Sequence, residues 1–464
     1  MLRCLRSNID SFLRNWQANP QWATRWSVVT LAFFALTVYL GCFARRTEFE
    51  FFILAYGLFF GLYGWVITRS KLPVLQLVWL GLALRGVLLF ALPHFSDDYL
   101  RFLWDGRLSA AGYHPFLHPP TYFIEQQISI PGITADLYDR LNSPAYHTVY
   151  PPVCQAVFAV SAWISPTNEW WGTFILKLFL WICECGTLVL LFRRKAATAT
   201  QRFAPAVVYA LNPLAVFEVV GNCHFEGAMV FFMIAGLYAL EGHRRLRASA
   251  FWVLATASKL LPLLFLPALW RWLGGRKGLV FLAWFALFSF LAFAPLLAVI
   301  PQISSSLDLY FRKFQFNASI YYLIREIGYL KIGWDIGEQS GPWLGLATLL
   351  GVLVLAWRAN PQKGIERLCE VMLFSLFIYL SFAAVVQPWY VCVPLAISLF
   401  TRFRFPIIWS GVVALSYSHY DDGHLLENYP LIALEYAVLW LFMIGEFYYR
   451  YTTKQEAPAS DGPG

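Results

Sequence analysis

Long apolar runs separated by short basic clusters make up most of the sequence. Several of these runs approach the ~20 residues that a helix needs to cross ~30 Å of hydrocarbon. The clusters between them are rich in Arg and Lys, which is typical of cytoplasmic loops. The pattern predicts an all-α, polytopic membrane protein with about a dozen spanning or partly spanning helices in one bundle.

The basic clusters also predict how the chain is threaded. If the cation-rich segment 1–26 lies in the cytoplasm, the runs 27–43, 51–68 and 72–92 cross the membrane in turn. The loop that follows, 95–150, then lies on the outer side. It is rich in proline and aromatic residues, so we expect short interfacial helices joined by turns.

Three later runs need separate treatment. Run 153–164 is too short for a comfortable span, which favours a tilted or partly inserted helix. Run 203–220 is expected to cross outward as one span. Run 248–270 has cations at both ends and is interrupted by Lys259 and Pro262, so it predicts a re-entrant hairpin.

The remaining chain predicts a second outer loop and a polar tail. Loop 301–341 follows another outward crossing and contains an amphipathic, aromatic stretch. We therefore predict one transmembrane domain, 27–450, in which loop 95–150 is catalytic and loop 301–341 is associated with the substrate. The tail 451–464 consists largely of small and polar residues and is expected to be disordered.

Composition narrows the class of protein further. Hydrophobic residues make up 59% of the 464 positions and charged residues only 13%, which excludes a soluble domain. The formal net charge of +8 comes from clusters that act as topology signals, so we expect no nucleic-acid partner. The eight cysteines lie mostly in apolar runs and indicate neither a disulfide framework nor a zinc site.

Acids and cations are concentrated at the start of the first outer loop, in FSDDYLRFLWDGRLSAAGYHPF. If this stretch is helical, Asp97, Arg101 and Asp105 share one face while Asp98 points elsewhere. Arg107 follows closely. A carboxylate is then set beside a cation at a membrane surface, although Asp97 and Asp98 would also suit simple capping of a surface helix.

Polar residues in four further elements are predicted on the same outer side, and their convergence indicates a binding site. They are Tyr150, Asn222, His224, Glu226, Arg312, Lys313, Gln387, Trp389 and Tyr390. The aromatic residues among them suit either sugar stacking or an ordinary interfacial belt.

Two charged residues, Arg85 and Glu184, fall near the middle of apolar runs. An unpaired charge there costs at least ~2.5 kcal/mol, so both need partners or water. They either pair with each other and fix the packing of the helices or line the substrate cavity.

The chemistry that this arrangement suggests is glycosyl transfer from a lipid phosphate. The phosphate leaves as a stable anion, so one carboxylate, Asp97 or Asp98, suffices to take the proton of the incoming hydroxyl. A cation among Arg101, Arg107, Arg312 and Lys313 would neutralise the phosphate. Lys259, at the re-entrant apex, would either meet the lipid phosphate or extend to the headgroups. Attack opposite the leaving group predicts inversion. Asp97, Asp98 and His94 would suit a divalent metal, but no spacing demands one, so no metal or other cofactor is expected.

Five motifs, taken in order, resemble the bacterial mannosyltransferase branch of the GT-C glycosyltransferases. They are SDDYLRFLWDGRLSAAGYHPF, TVYPP, ALNPLAVFEVVGNCHFEGAMV, FQFNASIYYL and QPWYV, within a match from about residue 85 to 436. The chain departs from the expected His-Pro-Trp-Tyr at Gln387 and from Asn-Gly-His-Asn at Cys223 and Phe225, which puts the identity of the sugar in doubt.

The resemblance implies a GT-C-like bundle whose donor is a polyprenyl-phosphate sugar, with mannose as the sugar and no metal. It implies that Asp97 is the catalytic acidic residue of the loop, with Asp98 as its close companion. It also implies that Glu184 occupies a position where relatives often carry an acidic residue. The residues near an outward-facing cavity would be Tyr150, Asn222, His224, Glu226 and Trp389.

The same resemblance predicts a multi-pass protein of the bacterial inner membrane with a periplasmic catalytic loop. Its partners would be membrane lipid, the lipid-linked donor and an acceptor, which is a glycan, a glycolipid or a protein hydroxyl. Two other classes stay open: a transporter or lipid-linked-sugar flippase, which would not need a dense acidic loop, and a non-catalytic membrane scaffold.

Overall fold

The computed structural model describes residues 20–69, 72–194, 204–360, 363–421 and 424–455. Nearly all of this part of the chain is helical. The described strands are β1 (Tyr420–Asp421) and β2 (His424–Leu425), a two-residue antiparallel hairpin. Residues 312 and 313 belong to a described helix, but their side chains lie outside the described part of the structure.

The first half of the chain contains eleven described α-helices. They are α1 (Pro20–Cys42), α2 (Phe49–Arg69), α3 (Val74–Leu88), α4 (Asp98–Ala110), α5 (Pro120–Glu125), α6 (Ala135–Asp139), α7 (Pro152–Ile164), α8 (Glu169–Arg193), α9 (Pro205–Ala210), α10 (Glu226–Glu241) and α11 (Arg245–Ser258).

Nine described α-helices follow in the second half. They are α12 (Leu266–Leu273), α13 (Gly275–Phe293), α14 (Ile300–Lys313), α15 (Ile320–Ile332), α16 (Gly337–Trp357), α17 (Gly364–Phe382), α18 (Cys392–Ser398), α19 (Phe405–Val412) and α20 (Tyr429–Gln455). Short 3₁₀ turns at Leu261–Phe265, Ala294–Val299, Pro388–Val391 and Val413–His419 connect some of them.

Length and apolar composition identify the membrane-crossing helices. Within the described residues, six are long and apolar enough to cross a bilayer: α1, α2, α8, the segment Gly275–Ser306, α16 and α20. A bent pair of helices would make a seventh, and four shorter apolar helices accompany them. The prediction of an all-α, polytopic membrane protein is confirmed.

The expectation of one continuous span over 203–220 is wrong. Helix α9 ends at Ala210, and a π-helical turn, Ala215–Gly221, is bent by 111° against α10. Pro213 has no backbone N–H to continue the helix. The side chain of Asn212 accepts from the Ala215 amide (3.4 Å) and donates to Ser410 (2.8 Å), so the freed polar groups are satisfied inside the protein.

The chain breaks at Lys259, where the re-entrant apex was predicted. Helix α11 ends at Ser258, and Lys259 is extended (φ −156°, ψ 141°) before the next turn begins. Helices α10 and α11 pack side by side over much of their length and are joined by a short turn. Lys259, at the end of α11, therefore lies beside Glu226, at the start of α10.

The loop 95–150 contains the short helices α4, α5 and α6, as the sequence predicts. Helix α4 is the longest of the three and packs closely against α7. At Gly106 an added Cβ would lie 2.2 Å from the Phe158 carbonyl oxygen. This close approach fixes α4, and with it the acidic start of the loop, on the bundle.

Candidate functional site

Asp97 is held by a cation that the sequence does not single out. It forms an ion pair with Arg46, in the connection between α1 and α2. The Arg46 guanidinium also lies 4.5 Å from the centre of the Tyr420 ring. Asp97 occupies the N-cap position of α4 but makes no side-chain capping hydrogen bond, and its side chain is 39% exposed. These contacts leave the capping interpretation of Asp97 without support.

The predicted shared face is only partly correct. Arg101 pairs with Asp105 (Nε to Oδ1, 2.8 Å), as the i, i+4 spacing predicts. Asp97 pairs with Arg46 instead, because it precedes the first helical residue and does not project along the same face. A carboxylate beside a cation is therefore present, but with a different cation.

The Arg101–Asp105 pair fastens the segment around Ser143 and Tyr146 to α4. Arg101 also donates to the carbonyls of Ser143 (3.3 Å) and Tyr146 (3.0 Å), and Asp105 accepts from Gln155 (2.9 Å). Both members of the pair are buried. These contacts favour a structural role for the two residues.

Arg107 is likewise engaged by backbone. It donates to the carbonyls of Gly132 (2.7 Å) and Thr167 (3.3 Å), and burial lowers the pKa of its guanidinium. Arg107 therefore ties two loops together at a distance from Asp97 and Asp98.

Asp98 is partly buried and is held by a loop residue. Its Oδ1 accepts a hydrogen bond from Asn142 (2.9 Å), and its own amide donates to Ser96 (3.3 Å). Burial raises the pKa of Tyr150 well above its usual value, and the nearby Asp98 carboxylate adds to that increase. Asp98 and Tyr150 are therefore close enough to interact electrostatically.

His224 joins three of the predicted elements. Its Nε2 lies 3.2 Å from the Ser96 hydroxyl, next to Asp97, and its ring stacks on Trp389 with centroids 3.7 Å apart. Asn222 accepts from the Phe95 amide (3.2 Å). The stretch at Asp97, the turn 221–227 and the Gln387–Tyr390 segment thus meet at one place.

Glu218 supports this junction from within the bundle. Its carboxylate accepts from Tyr417 (2.6 Å) and Asn222 (3.2 Å) and lies 3.2 Å from His224 Nδ1. All four side chains are buried. The network fixes the orientation of the His224 ring.

Lys259 and Glu226 form a second charged centre. Lys259 Nζ lies 3.0 Å from Glu226 Oε1 and 5.6 Å from the centre of the Tyr150 ring. Glu226 is 3% exposed, whereas Lys259 is 24% exposed. The Lys259 ammonium is therefore partly accessible at the protein surface, although its partner Glu226 is buried.

Glu184 is paired with Arg85 inside the bundle. The ion pair measures 2.8 Å between fully buried side chains. Tyr209 donates to the remaining Glu184 oxygen (2.8 Å), and Arg85 donates to the carbonyls of Gly81 and Ala210. Every charge is satisfied within the protein, which favours the packing alternative over a role in lining the cavity.

Four predicted residues remain. Gln387 follows a backbone bridge between Phe316 and Val385, and within the described residues its buried side-chain oxygen has no hydrogen-bond partner. Tyr390 packs edge-on against Trp389 with centroids 6.2 Å apart. Arg312 and Lys313 lie in α14, and their side chains fall outside the described part of the structure.

The sequence did not point to several residues that shape the site: Arg46, Ser96, Asn142, Glu218 and Tyr420. The predicted threading placed Arg46 on the same side of the membrane as the acidic loop, so the sequence did carry a signal for Arg46. Glu218 sits in an apolar run and carried the same signal as Glu184, although that signal was not used for it. Among the described residues, no three His, Cys, Asp or Glu side chains are grouped as metal ligands.

Comparison with known proteins gives one family. Residues 24–274 match the family described as alpha-(1->6)-mannopyranosyltransferase, N-terminal domain. This range covers more than half of the 464 residues and includes Asp97, Asp98, the turn 221–227 and Lys259. A comparison with curated proteins returned no match.

Proposed function

Because this chain belongs to the alpha-(1->6)-mannopyranosyltransferase family, we propose that it transfers mannose from a polyprenyl-phosphate donor to an acceptor hydroxyl at the outer face of the membrane. One observation carries the proposal. Ser96 and Phe95 bind His224 and Asn222, so the acid pair Asp97–Asp98 is held against the turn 221–227. Both belong to the matched region.

The proposed reaction is a single displacement. The acceptor oxygen attacks the anomeric carbon as the bond from that carbon to the phosphate oxygen breaks. The hydroxyl proton goes to Asp97, and the polyprenyl phosphate leaves with the electron pair as an anion. Attack from the opposite face inverts the anomeric carbon. An α product then requires a β-linked donor.

Asp97 suits the role of base because its carboxylate is partly exposed and held at the head of α4. Arg46 restrains it from one side, and Arg46 in turn packs on Tyr420. Asp98 accepts a hydrogen bond from Asn142 and lies near enough to Tyr150 to interact with it electrostatically. We assign Asp98 a supporting role in binding the substrate.

Lys259 is the proposed contact for the donor phosphate. Arg101 and Arg107 are already engaged by Asp105 and by backbone carbonyls. Lys259 is partly exposed, and its apex position brings it to the level of the turn 221–227. A partly desolvated ammonium there stabilises the developing phosphate charge.

The test uses the full-length protein in liposomes with radiolabelled polyprenyl-phosphate mannose and octyl α-mannoside as acceptor. Wild type should transfer label to the mannoside, and Asp97→Asn should not. Asp136→Asn is the matched control, since Asp136 is also a loop acid paired with an arginine (Arg140, 2.8 Å). Transfer from GDP-mannose but not from the lipid donor would refute the donor assignment, and solute uptake without transfer would favour a transporter.

A further inference from the structure

Two polar side chains near Phe316, one buried and one partly buried, have unused hydrogen-bonding capacity. His419 is fully buried, and within the described residues neither ring nitrogen has a hydrogen-bond partner. The buried side-chain oxygen of Gln387 is in the same condition. A buried polar atom without a partner needs an explanation, and a bound water or ligand is one of them.

Phe316 links the two segments that carry His419 and Gln387. Its ring lies edge-on to the His419 ring with centroids 5.0 Å apart. Its backbone donates to Ala384 (3.0 Å) and accepts from Val386 (2.8 Å), which places Gln387 at the end of the same backbone contact. The turn that ends at His419 also packs against the turn Pro388–Val391.

The pair lies next to the acids. Tyr420, which follows His419, stacks under Arg46, the partner of Asp97. Gln387 precedes Trp389 by two residues, and Trp389 stacks on His224. His419 and Gln387 therefore flank the junction that holds Asp97.

The chemistry of the pair matches adjacent sugar hydroxyls. A neutral imidazole has one N–H donor and one nitrogen acceptor, and an amide side chain offers both an acceptor and donors. Each hydroxyl both donates and accepts. An aromatic face close by, at Trp389, adds apolar contact with a sugar ring.

We propose that His419 and Gln387 form a subsite that binds the hydroxyl groups of a hexose, with Trp389 as its apolar wall. This inference rests on the proposed function, because the hexose is either the mannosyl group of the donor or the terminal sugar of the acceptor. Burial lowers the pKa of the His419 imidazole to about 4, so the ring is neutral at physiological pH and retains both hydrogen-bonding roles.

The experiment compares lipids with and without the sugar. Equilibrium binding of polyprenyl-phosphate mannose and of polyprenyl phosphate is measured on full-length wild type, His419→Phe and Gln387→Leu. If the pair binds the donor sugar, each variant should bind the mannosylated lipid about tenfold more weakly, as for one lost hydrogen bond, and bind polyprenyl phosphate unchanged. If the pair binds the acceptor, the KM for octyl α-mannoside should rise about tenfold instead.

Ser375→Ala is the control, because the Ser375 hydroxyl is also buried without a partner among the described residues but lies in α17. It should change neither quantity. Equal weakening for both lipids, or no change in either lipid binding or acceptor KM, would overturn the subsite. Failure of wild type to transfer mannose from the lipid would instead refute the proposed function, whatever the variants do.

Discussion

Asp97 forms an ion pair with Arg46, which lies 51 residues earlier in the chain and in a different connection of the bundle. The pair places a fixed positive charge beside the proposed base and links the first connection, between α1 and α2, to the acidic loop. Since Arg46 also packs on Tyr420, three distant parts of the sequence position one carboxylate. Asp97 is therefore positioned by residues that do not belong to its own helix.

Replacing Asp97 with Asn should lower the rate of mannose transfer by about 10²- to 10⁴-fold, the usual contribution of a general base. Asp98→Asn should act mainly on substrate affinity and raise KM, because Asp98 lies near enough to Tyr150 to influence its pKa and we assign it a role in binding. The measurement is kcat and KM with the radiolabelled lipid donor. Full activity in Asp97→Asn, together with a lost kcat in Asp98→Asn, would reverse the two assignments.

Lys259→Met should both weaken donor binding and destabilise the protein. It leaves Glu226, which is 3% exposed, without its cation. The double variant Lys259→Met/Glu226→Gln should regain thermal stability in detergent but keep a donor KM raised on the order of tenfold to hundredfold, as for a lost charge-assisted hydrogen bond. A double variant with wild-type KM would show that Lys259 does not contact the phosphate.

Arg85→Met should destabilise the protein by about 3–5 kcal/mol, because Glu184 is then a buried charge without a cation. Arg85→Met/Glu184→Leu removes both charges and should recover most of that loss. Thermal unfolding of the two variants checks the stability. If the folded double variant had no transferase activity, the pair would have a role beyond packing.

Gly106→Ala should separate α4 from α7, since its Cβ would lie 2.2 Å from the Phe158 carbonyl oxygen. The strain should cost about 1–3 kcal/mol of stability. It should also lower activity, because α4 carries Asp97 and Asp98 at its start. Gly86→Ala is the matched control: it lies in α3, where nothing is within 4 Å of an added Cβ, and it should be neutral or stabilising.

His419 should make stability depend on pH. Burial lowers its pKa from 6.5 to about 4, so the unfolded chain takes up a proton in this range and the folded chain does not. Stability is then complete above about pH 6.5 and is lost as pH falls towards 4, by on the order of 3 kcal/mol. Subtracting the unfolding curve of His419→Phe from that of wild type should isolate this dependence, and a pH-independent difference would contradict it.

The membrane class and many helix boundaries could be predicted from apolar runs, because spanning a bilayer imposes length and internal hydrogen bonding on each run. The break at Lys259 followed from the cations on both sides of its run. The break at Asn212 was missed. The Asn212-Pro213 dipeptide is a local signal for a helix break, and the expectation of one span over 203–220 did not use it. What the sequence could not show is the partner of the Asn212 side chain, Ser410, which lies 198 residues later.

At the candidate site, the sequence predicted that the acids and the turn 221–227 converge, but it placed Arg101 beside Asp97, whereas the structure places Arg46 there. Spacing along α4 correctly paired Arg101 with Asp105, a local contact. Arg46, the partner of Asp97, and Ser96 and Trp389, which contact His224, come from elements far away in sequence, and no local pattern encodes these contacts. Glu218 could have been singled out as Glu184 was, as a charge in an apolar run, but its partner Tyr417, 199 residues later, could not be predicted from the sequence.

The Arg85–Glu184 pair also constrains how the chain enters the membrane during synthesis. Its members lie 99 residues apart, so α3 is made long before α8 can supply the balancing charge. Until then Arg85 is costly in lipid. Ribosome-bound chains truncated before residue 184 should leave α3 cross-linkable to the insertion machinery, whereas longer chains should release it. That outcome would show delayed, paired entry of these two helices.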